Sequence, residues 1–159
     1  MNNQLTLVSR SEEETDRFGS TLASVLTGGL TIAMNGQLGS GKTRLVRSIC
    51  AGLGINTQLV NSPTFVLLQL YTDGRIPVAH FDTYRLADID EFLAIGGDEY
   101  LNGEDWLCLI EWAARVVEAL PADRLTINIQ QTAETIRTFE ILESGPRSAV
   151  VLEQMKTLL

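Results

Sequence analysis

Eight consecutive residues have the types and spacing of a phosphate-binding loop. They read Gly36-Gln37-Leu38-Gly39-Ser40-Gly41-Lys42-Thr43 and fit the pattern G-x-x-x-x-G-K-[ST]. Glycines at these positions let backbone N–H groups converge on phosphate oxygens, where a side chain would collide. The pattern predicts that Lys42 reaches the β- and γ-phosphates of a nucleotide and that the Thr43 hydroxyl ligates Mg²⁺.

The segments on either side of the loop are those that such a loop requires. Residues 30–34 form an apolar run that predicts a buried strand, and residues 42–53 predict a helix with one apolar face. The N-terminus of that helix would direct the positive end of its dipole toward the phosphates. An ordinary glycine-rich turn between a strand and a helix would explain the glycines, but not the complete motif.

A magnesium ion beside this loop needs a carboxylate from the end of a neighbouring strand. Two strand ends offer one, because the apolar run 78–81 leads into Asp82 and the apolar run 106–110 leads into Glu111. Local sequence leaves the choice between them open. Either carboxylate could instead cap a helix or a turn.

Three further side chains near these strand ends have candidate roles. His80 is the only histidine, and we expect it to orient Asp82 or Arg85 by hydrogen bonding, since phosphoryl transfer needs little acid–base chemistry. Arg85 is expected to pair with Asp82 rather than to reach a phosphate. Trp112, next to Glu111, could stack on a nucleotide or a partner, or pack half-buried.

Length and composition indicate one globular domain over residues 1–159. Apolar residues make up 45% of the chain and charged residues 20%, which argues against disorder. The net charge of −8 argues against a protein that grips nucleic acid on its own. Cys50 and Cys108 lie in apolar runs and are expected to be buried small hydrophobes. With no membrane-length apolar run and no signal peptide, we expect a cytoplasmic monomer.

Strand and helix patterns alternate along the chain and predict a three-layer α/β fold. Ser11, with Glu14 three residues later, predicts the start of a first helix. Strands are predicted at 5–8, 30–34, 64–71, 76–81, 106–110, 125–129 and 137–142, and further helices at 42–53, 88–95, 113–120 and 148–159. This order favours the fold of P-loop nucleoside triphosphatases, with a mostly parallel central sheet and antiparallel strands at the edge.

Four motifs occur in order along the chain and together resemble one family. They are the loop at 36–43, S-P-T-F at 62–65, H-F-D-T-Y-R-L at 80–86 and E-W at 111–112. A phosphate loop alone indicates only a superfamily. The combination resembles the TsaE family, small bacterial ATPases needed to make threonylcarbamoyladenosine in tRNA, over residues 5–142.

The resemblance implies roles for residues of the site. Lys42 keeps its phosphate role, and Thr64 is implied to be a switch-type threonine that senses the γ-phosphate and Mg²⁺. Asp82 resembles the acidic residue behind the metal, and Glu111 a second carboxylate on the metal side. The implied ATP-binding set comprises Gly36, Leu38, Gly39, Ser40, Gly41, Lys42 and Thr43 in the loop, Arg137 close to the nucleotide, and Ser11 and Glu12 near the base.

The resemblance also implies a partner and a process. The family acts on the TsaB–TsaD complex, in which TsaD transfers a threonylcarbamoyl group to the adenosine next to the anticodon. ATP hydrolysis is thought to reset that complex, so contact with tRNA is expected only through it. Departures from the family pattern are small: Arg44 replaces a second threonine, Ser40 a common alanine and Thr83 an apolar residue.

Other nucleotide-binding proteins remain as alternatives. A small-molecule kinase needs a lid that usually bears arginine, but residues 88–103 contain no basic residue. A GTPase needs a source of guanine selectivity, and the chain has no N-K-x-D segment. The sequence does not distinguish an ATPase from a nucleotide-sensing scaffold whose hydrolysis of ATP is incidental.

Overall fold

Strands and helices alternate along the chain around one sheet. The computed structural model describes residues 3–61 and 67–159. The strands are β1 (Gln4–Ser9), β2 (Thr31–Gly36), β3 (Leu68–Tyr71), β4 (Val78–Asp82), β5 (Leu107–Glu111), β6 (Leu125–Gln131) and β7 (Arg137–Glu143). The α-helices are α1 (Glu12–Val25), α2 (Lys42–Gly52), α3 (Ile89–Ala94), α4 (Gly97–Leu101) and α5 (Pro146–Leu158), and 3-10 turns span Thr57–Leu59 and Ala113–Ala119.

The sheet brings the strand before the loop to its centre. Its strand order is β1-β7-β6-β2-β5-β4-β3, and β6, β2, β5 and β4 run parallel to one another. β7 and β3 run antiparallel to their neighbours. The predicted mostly parallel sheet is therefore confirmed. The carboxyl ends of β2, β5 and β4 meet at one edge, where ligands bind in open α/β sheets.

The late hairpin lies further inside the sheet than its sequence suggests. We expected its two strands to form the antiparallel edge, but β6 pairs with the central strand β2, and β1 covers the outer side of β7. An uncovered β7 would leave a row of backbone N–H and C=O groups without partners. The N-terminal strand supplies those partners, and its Leu5 and Leu7 pack against the main core.

Helices cover both faces of the sheet, because the apolar side chains of the central strands point alternately to one face and to the other. On β5, Leu107 and Leu109 join a core that includes α1, α2 and α5, while Cys108 and Ile110 join a core on the other face, beneath α3 and α4. Strands buried on both faces read as continuous apolar runs. This arrangement confirms the predicted three layers.

Close packing holds α1 against the loop helix α2. A side chain at Gly19 would overlap Ser48, so the glycine permits the two helices to approach. The predicted N-cap of α1 is confirmed, since Ser11 Oγ accepts the Glu14 N–H at 3.1 Å. None of the helices within residues 3–61 and 67–159 is long and apolar enough to cross a bilayer.

The two cysteines provide a test of the core. Cys50 and Cys108 are 0% and 1% exposed, and burial raises the pKa of each thiol to about 12. Because the thiolate is the reactive form, we expect neither to react with Ellman's reagent at about pH 8 in the folded protein. Both should react at once in guanidinium chloride, which serves as the control. Fast reaction of either thiol without denaturant would contradict this packing.

Candidate nucleotide-binding site

The phosphate loop connects the end of β2 to the start of α2. Within it, the Ser40 N–H donates to the Gln37 carbonyl at 3.0 Å. Gly39 and Gly41 have φ values of +79° and +110°, which lie in the left-handed region that favours glycine. Gly41 is also the N-cap of α2, so the helix N-terminus opens directly toward the loop.

A cleft of about 410 Å³ lies between the loop and the ends of β4 and β5. Leu38 stands at its rim and is 81% exposed, whereas Ser40 is buried beneath the loop. The residues lining the cleft are Leu38, Gly39, Gly41, Lys42, Thr43, Arg44, Asp82, Tyr84, Arg85, Glu111 and Trp112. One cleft therefore holds the loop lysine and threonine together with both candidate carboxylates.

Lys42 is folded back onto its own loop. Its Nζ donates to the carbonyls of Gly36 at 2.5 Å and Gln37 at 2.9 Å, and lies 3.9 Å from the centre of the Trp112 ring. Burial lowers the pKa of Lys42, while the charges of Glu111 and Asp82 oppose that shift. A bound phosphate would have to replace these carbonyls as the acceptor of the lysine protons.

The two carboxylates come together because their strands are parallel neighbours. Asp82 on β4 and Glu111 on β5 are paired in register, so both side chains leave the sheet on the face that carries α2. Thr43 Oγ1 donates to Glu111 Oε1 at 2.8 Å, and Asp82 Oδ1 accepts the Tyr84 N–H at 3.0 Å. The structure thus brings together both carboxylates that the sequence left as alternatives.

The side chains at this point fit a magnesium ion. Thr43, Asp82 and Glu111 supply oxygen ligands, which Mg²⁺ prefers. Because the Thr43 hydroxyl donates its proton to Glu111, its lone pairs are directed elsewhere and suit a cation. The described part of the chain contains no cluster of three or more His, Cys, Asp or Glu side chains that could bind a metal by themselves. Phosphate oxygens and water would therefore complete the coordination, as is usual for Mg²⁺.

His80 has a different partner from the one that the sequence suggested. We expected it to orient Asp82 or Arg85, but its Nε2 lies 2.6 Å from Glu111 Oε2 and its Nδ1 lies 3.1 Å from the Tyr71 hydroxyl. The neighbouring strand β5 brings Glu111 beside His80. Arg85 lines the same cleft as Asp82, and their ion pair stays a prediction.

A second groove, of about 510 Å³, opens on the other side of the loop. Arg137 lies in it and donates from Nε to the Ser40 carbonyl at 3.0 Å. Ser11 and Glu12, at the start of α1, line the same groove with Gly41. The three residues implied to lie near the nucleotide and its base are therefore neighbours of the phosphate loop.

Arg44 links the cleft to this groove. Its guanidinium binds Asp16 through two hydrogen bonds, at 3.0 and 2.7 Å, and pairs with Glu12 at 3.1 Å. The hydrogen bond from Arg44 holds the pKa of Asp16 below its ordinary value. The sequence analysis noted Arg44 as a departure from the family pattern but missed Asp16, because only the packing of α1 on α2 brings the two together.

Trp112 and Thr64 complete the predicted site residues. The ring of Trp112 packs on Lys42 and lies 4.7 Å from the Tyr84 ring, so it is half-buried in the wall of the cleft. The switch role implied for Thr64 stays a prediction, because residues 62–66 lie outside the described residues.

Comparison with known proteins identifies the chain's relatives. A family model described as "Threonylcarbamoyl adenosine biosynthesis protein TsaE" matches residues 9–139. Proteins named tRNA threonylcarbamoyladenosine biosynthesis protein TsaE include one from Bacillus subtilis, 37% identical over 90% of this chain and 88% of its own length. Another, from Treponema pallidum, is 38% identical over 84% of this chain and 97% of its own length. The crystal structure of Bacillus subtilis YdiB matches with a TM-score of 0.86 and 31% identity, covering 99% of this chain and 97% of that one.

The loop geometry predicts which lysine matters for nucleotide binding. Lys42→Ala should weaken ATP binding by about 2–5 kcal/mol, because it removes a charged partner of the phosphates. Lys156→Ala is the matched control, since it removes the only other lysine, which lies on α5. Calorimetric titration with ATP and Mg²⁺ measures both variants. Parental affinity in Lys42→Ala would disprove the phosphate-loop assignment.

Proposed function

We infer that this chain, which belongs to the TsaE family, takes part in the synthesis of threonylcarbamoyladenosine in tRNA as an ATP-binding and slowly hydrolysing protein. One observation carries the ATPase proposal: the loop residues Lys42 and Thr43 face Asp82 and Glu111 across a single cleft. This combines a phosphate-binding loop with carboxylates at the ends of neighbouring strands, the parts that phosphoryl transfer uses.

Each residue of the cleft has a proposed role in hydrolysis. Lys42 exchanges its loop carbonyls for the β- and γ-phosphates, and the N-terminus of α2 adds its dipole. Thr43, Asp82 and Glu111 would hold Mg²⁺, which neutralises the charge that develops on the phosphoryl oxygens. The oxygen of a water molecule bonds to the γ-phosphorus while the bond between the γ-phosphorus and the β–γ bridging oxygen breaks. The protons of that water stay on the phosphate product or pass to solvent, and ADP and phosphate are released. We propose Thr64 as the sensor of the γ-phosphate.

The second groove is the proposed position of the nucleoside. Its closeness to the loop supports this, since Arg137 donates to the Ser40 carbonyl and Ser11 and Glu12 line the same groove. A bound ATP molecule would then extend across Gly41, with its phosphates in the cleft and its nucleoside in the second groove. Arg44 touches both cavities and would contact the nucleotide at the point between its phosphates and its ribose.

A protein partner is proposed to complete the site. Tyr84 and Arg85 line the cleft, and residues 88–103, which follow them in sequence, carry no basic side chain that could serve as a charged lid. Nucleoside triphosphatases with incomplete sites obtain the missing group from a partner. We propose the TsaB–TsaD complex as that partner, acting on a monomeric cytoplasmic domain of residues 1–159, with tRNA reached only through the complex. The same lack of basic residues argues against a small-molecule kinase.

The carboxylates should affect turnover more than nucleotide capture. Asp82→Ala and Glu111→Ala are expected to lower the rate of ATP hydrolysis by about 100-fold or more, because charge stabilisation in the transition state is lost. ATP affinity should fall far less, since the loop still binds the phosphates. Asp98→Ala removes an exposed carboxylate of α4 outside the cleft and is the control. If both site variants hydrolyse ATP at the parental rate, the metal assignment is wrong.

The partner should raise turnover and prefer one nucleotide state. We expect the TsaB–TsaD complex to increase the rate of hydrolysis and to bind this chain more tightly with ATP than with ADP. Because coupling between two binding sites is reciprocal, the preference of the chain for ATP over ADP should be greater in the complex than in the free chain by the same factor. Phosphate-release assays and titrations of the complex measure these effects.

Two results would contradict the partner proposal. One is a rate and an affinity that do not change with the cognate complex, accompanied by fast phosphate transfer to a small-molecule acceptor. The other is tight binding of tRNA by this chain alone at physiological salt, which a net charge of −8 should prevent.

A further inference from the structure

A chain of buried hydrogen bonds crosses three strands and ends at the phosphate loop. It starts on the outer strand β3, where the Tyr71 hydroxyl bonds Gln69, and passes to His80 on β4 at 3.1 Å. From His80 it reaches Glu111 on β5 at 2.6 Å, and Glu111 accepts from Thr43 on α2 at 2.8 Å. Tyr71, His80 and Glu111 are 4%, 0% and 2% exposed.

The donors and acceptors of this chain define its direction. Gln69 Oε1 can only accept, so the Tyr71 O–H donates to it. Burial raises the pKa of Tyr71, and the phenol keeps its proton. With its single proton committed, Tyr71 can only accept from His80, which requires a proton on Nδ1.

The other end of the imidazole holds Glu111. His80 Nε2 and Glu111 Oε2 are 2.6 Å apart and share a proton between them, whichever atom carries it. The second oxygen, Oε1, accepts from Thr43 at the edge of the cleft. Rotation of the Glu111 carboxylate would break both bonds at once, so the two contacts together define its orientation.

We propose that His80, oriented by Tyr71, is a positioning residue that directs Glu111 Oε1 toward Thr43 and the phosphate cleft. Only the predicted effect of His80 on the rate of ATP hydrolysis rests on the proposed ATPase function. Partners behind a ligand commonly orient it, and their loss typically costs about 10- to 100-fold in activity or metal affinity. The competing explanation is that this buried network serves stability alone.

The only histidine of the chain allows a direct spectroscopic test. In ¹⁵N-labelled protein, its ring nitrogens give one unambiguous pair of signals. We expect a proton on Nδ1 that exchanges slowly with solvent, because it is buried and bonded to Tyr71. Tyr71→Phe should shift this resonance and speed its exchange, whereas Tyr100→Phe, on the other face of the sheet, should leave it unchanged. An unprotonated Nδ1 in the parent protein would overturn the proposal.

Kinetics separate positioning from a purely structural role. Tyr71→Phe should lower kcat about 10-fold, and His80→Phe about 10- to 100-fold, while the ATP dissociation constant changes less than about threefold. His80→Gln keeps a donor near the Nε2 position and should recover part of the loss. It also provides a second variant if His80→Phe does not fold. If the folded variants have lower melting temperatures but a parental kcat, the network contributes to stability alone and the assignment is overturned.

Failure of the ATPase proposal is distinguishable from failure of this one. A parent chain without turnover, even with the partner complex, would disprove the proposed hydrolysis. The nitrogen spectra do not depend on turnover, so in that case a protonated, protected Nδ1 still supports the orientation and an unprotonated one still refutes it. Turnover in the parent together with parental kcat in Tyr71→Phe and both His80 variants refutes the positioning role alone.

Discussion

The parallel alignment of β2, β5 and β4 is the constraint on which the candidate site depends. It brings three carboxyl ends to one edge, where β2 leads into the loop, the adjacent β5 ends at Glu111, and β4 on the far side of β5 ends at Asp82. Because Asp82 and Glu111 are in register, a slip of one residue would turn one carboxylate to the opposite face of the sheet. The packing of the two cores opposes that slip, because it would move side chains that are fitted to one core into the other. Packing and site geometry are therefore secured by the same pattern.

Burial of charge is the energetic cost of this arrangement. Lys42, Asp82 and Glu111 are all at most 5% exposed, and a buried charge that loses its partner costs about 3–5 kcal/mol. Each charge is met by fixed polar groups: loop carbonyls for Lys42, a backbone N–H for Asp82, and His80 with Thr43 for Glu111. The lysine contacts are local and exchangeable for phosphate oxygens. The Glu111 contacts are long-range and hold it in one orientation.

The first helix joins the site through packing rather than through its own sequence motif. Gly19 permits α1 to lie on α2, and this contact aligns Asp16 and Glu12 with Arg44. Arg44, which the sequence resemblance marks as a departure from the family pattern, therefore has its partners on the adjacent helix. The groove near Arg137 is thus built from residues at both ends of the chain, which the outer strands β1 and β7 bring together.

Local chemistry in the sequence determined much of the fold and part of the site. The loop spacing, the Ser11 cap and the apolar runs of the central strands each act over a few residues, so their pattern predicts them directly. Tertiary structure decided what depends on strand order and register. It brought Asp82 and Glu111 to one cleft and placed His80 on β4 within hydrogen-bonding distance of Glu111 on the neighbouring strand β5. It also placed β1 outside the late hairpin and paired Arg44 with Asp16. Such contacts join residues about 30 or more positions apart, and a side chain's own neighbours in sequence carry no record of which distant strand or helix will lie beside it.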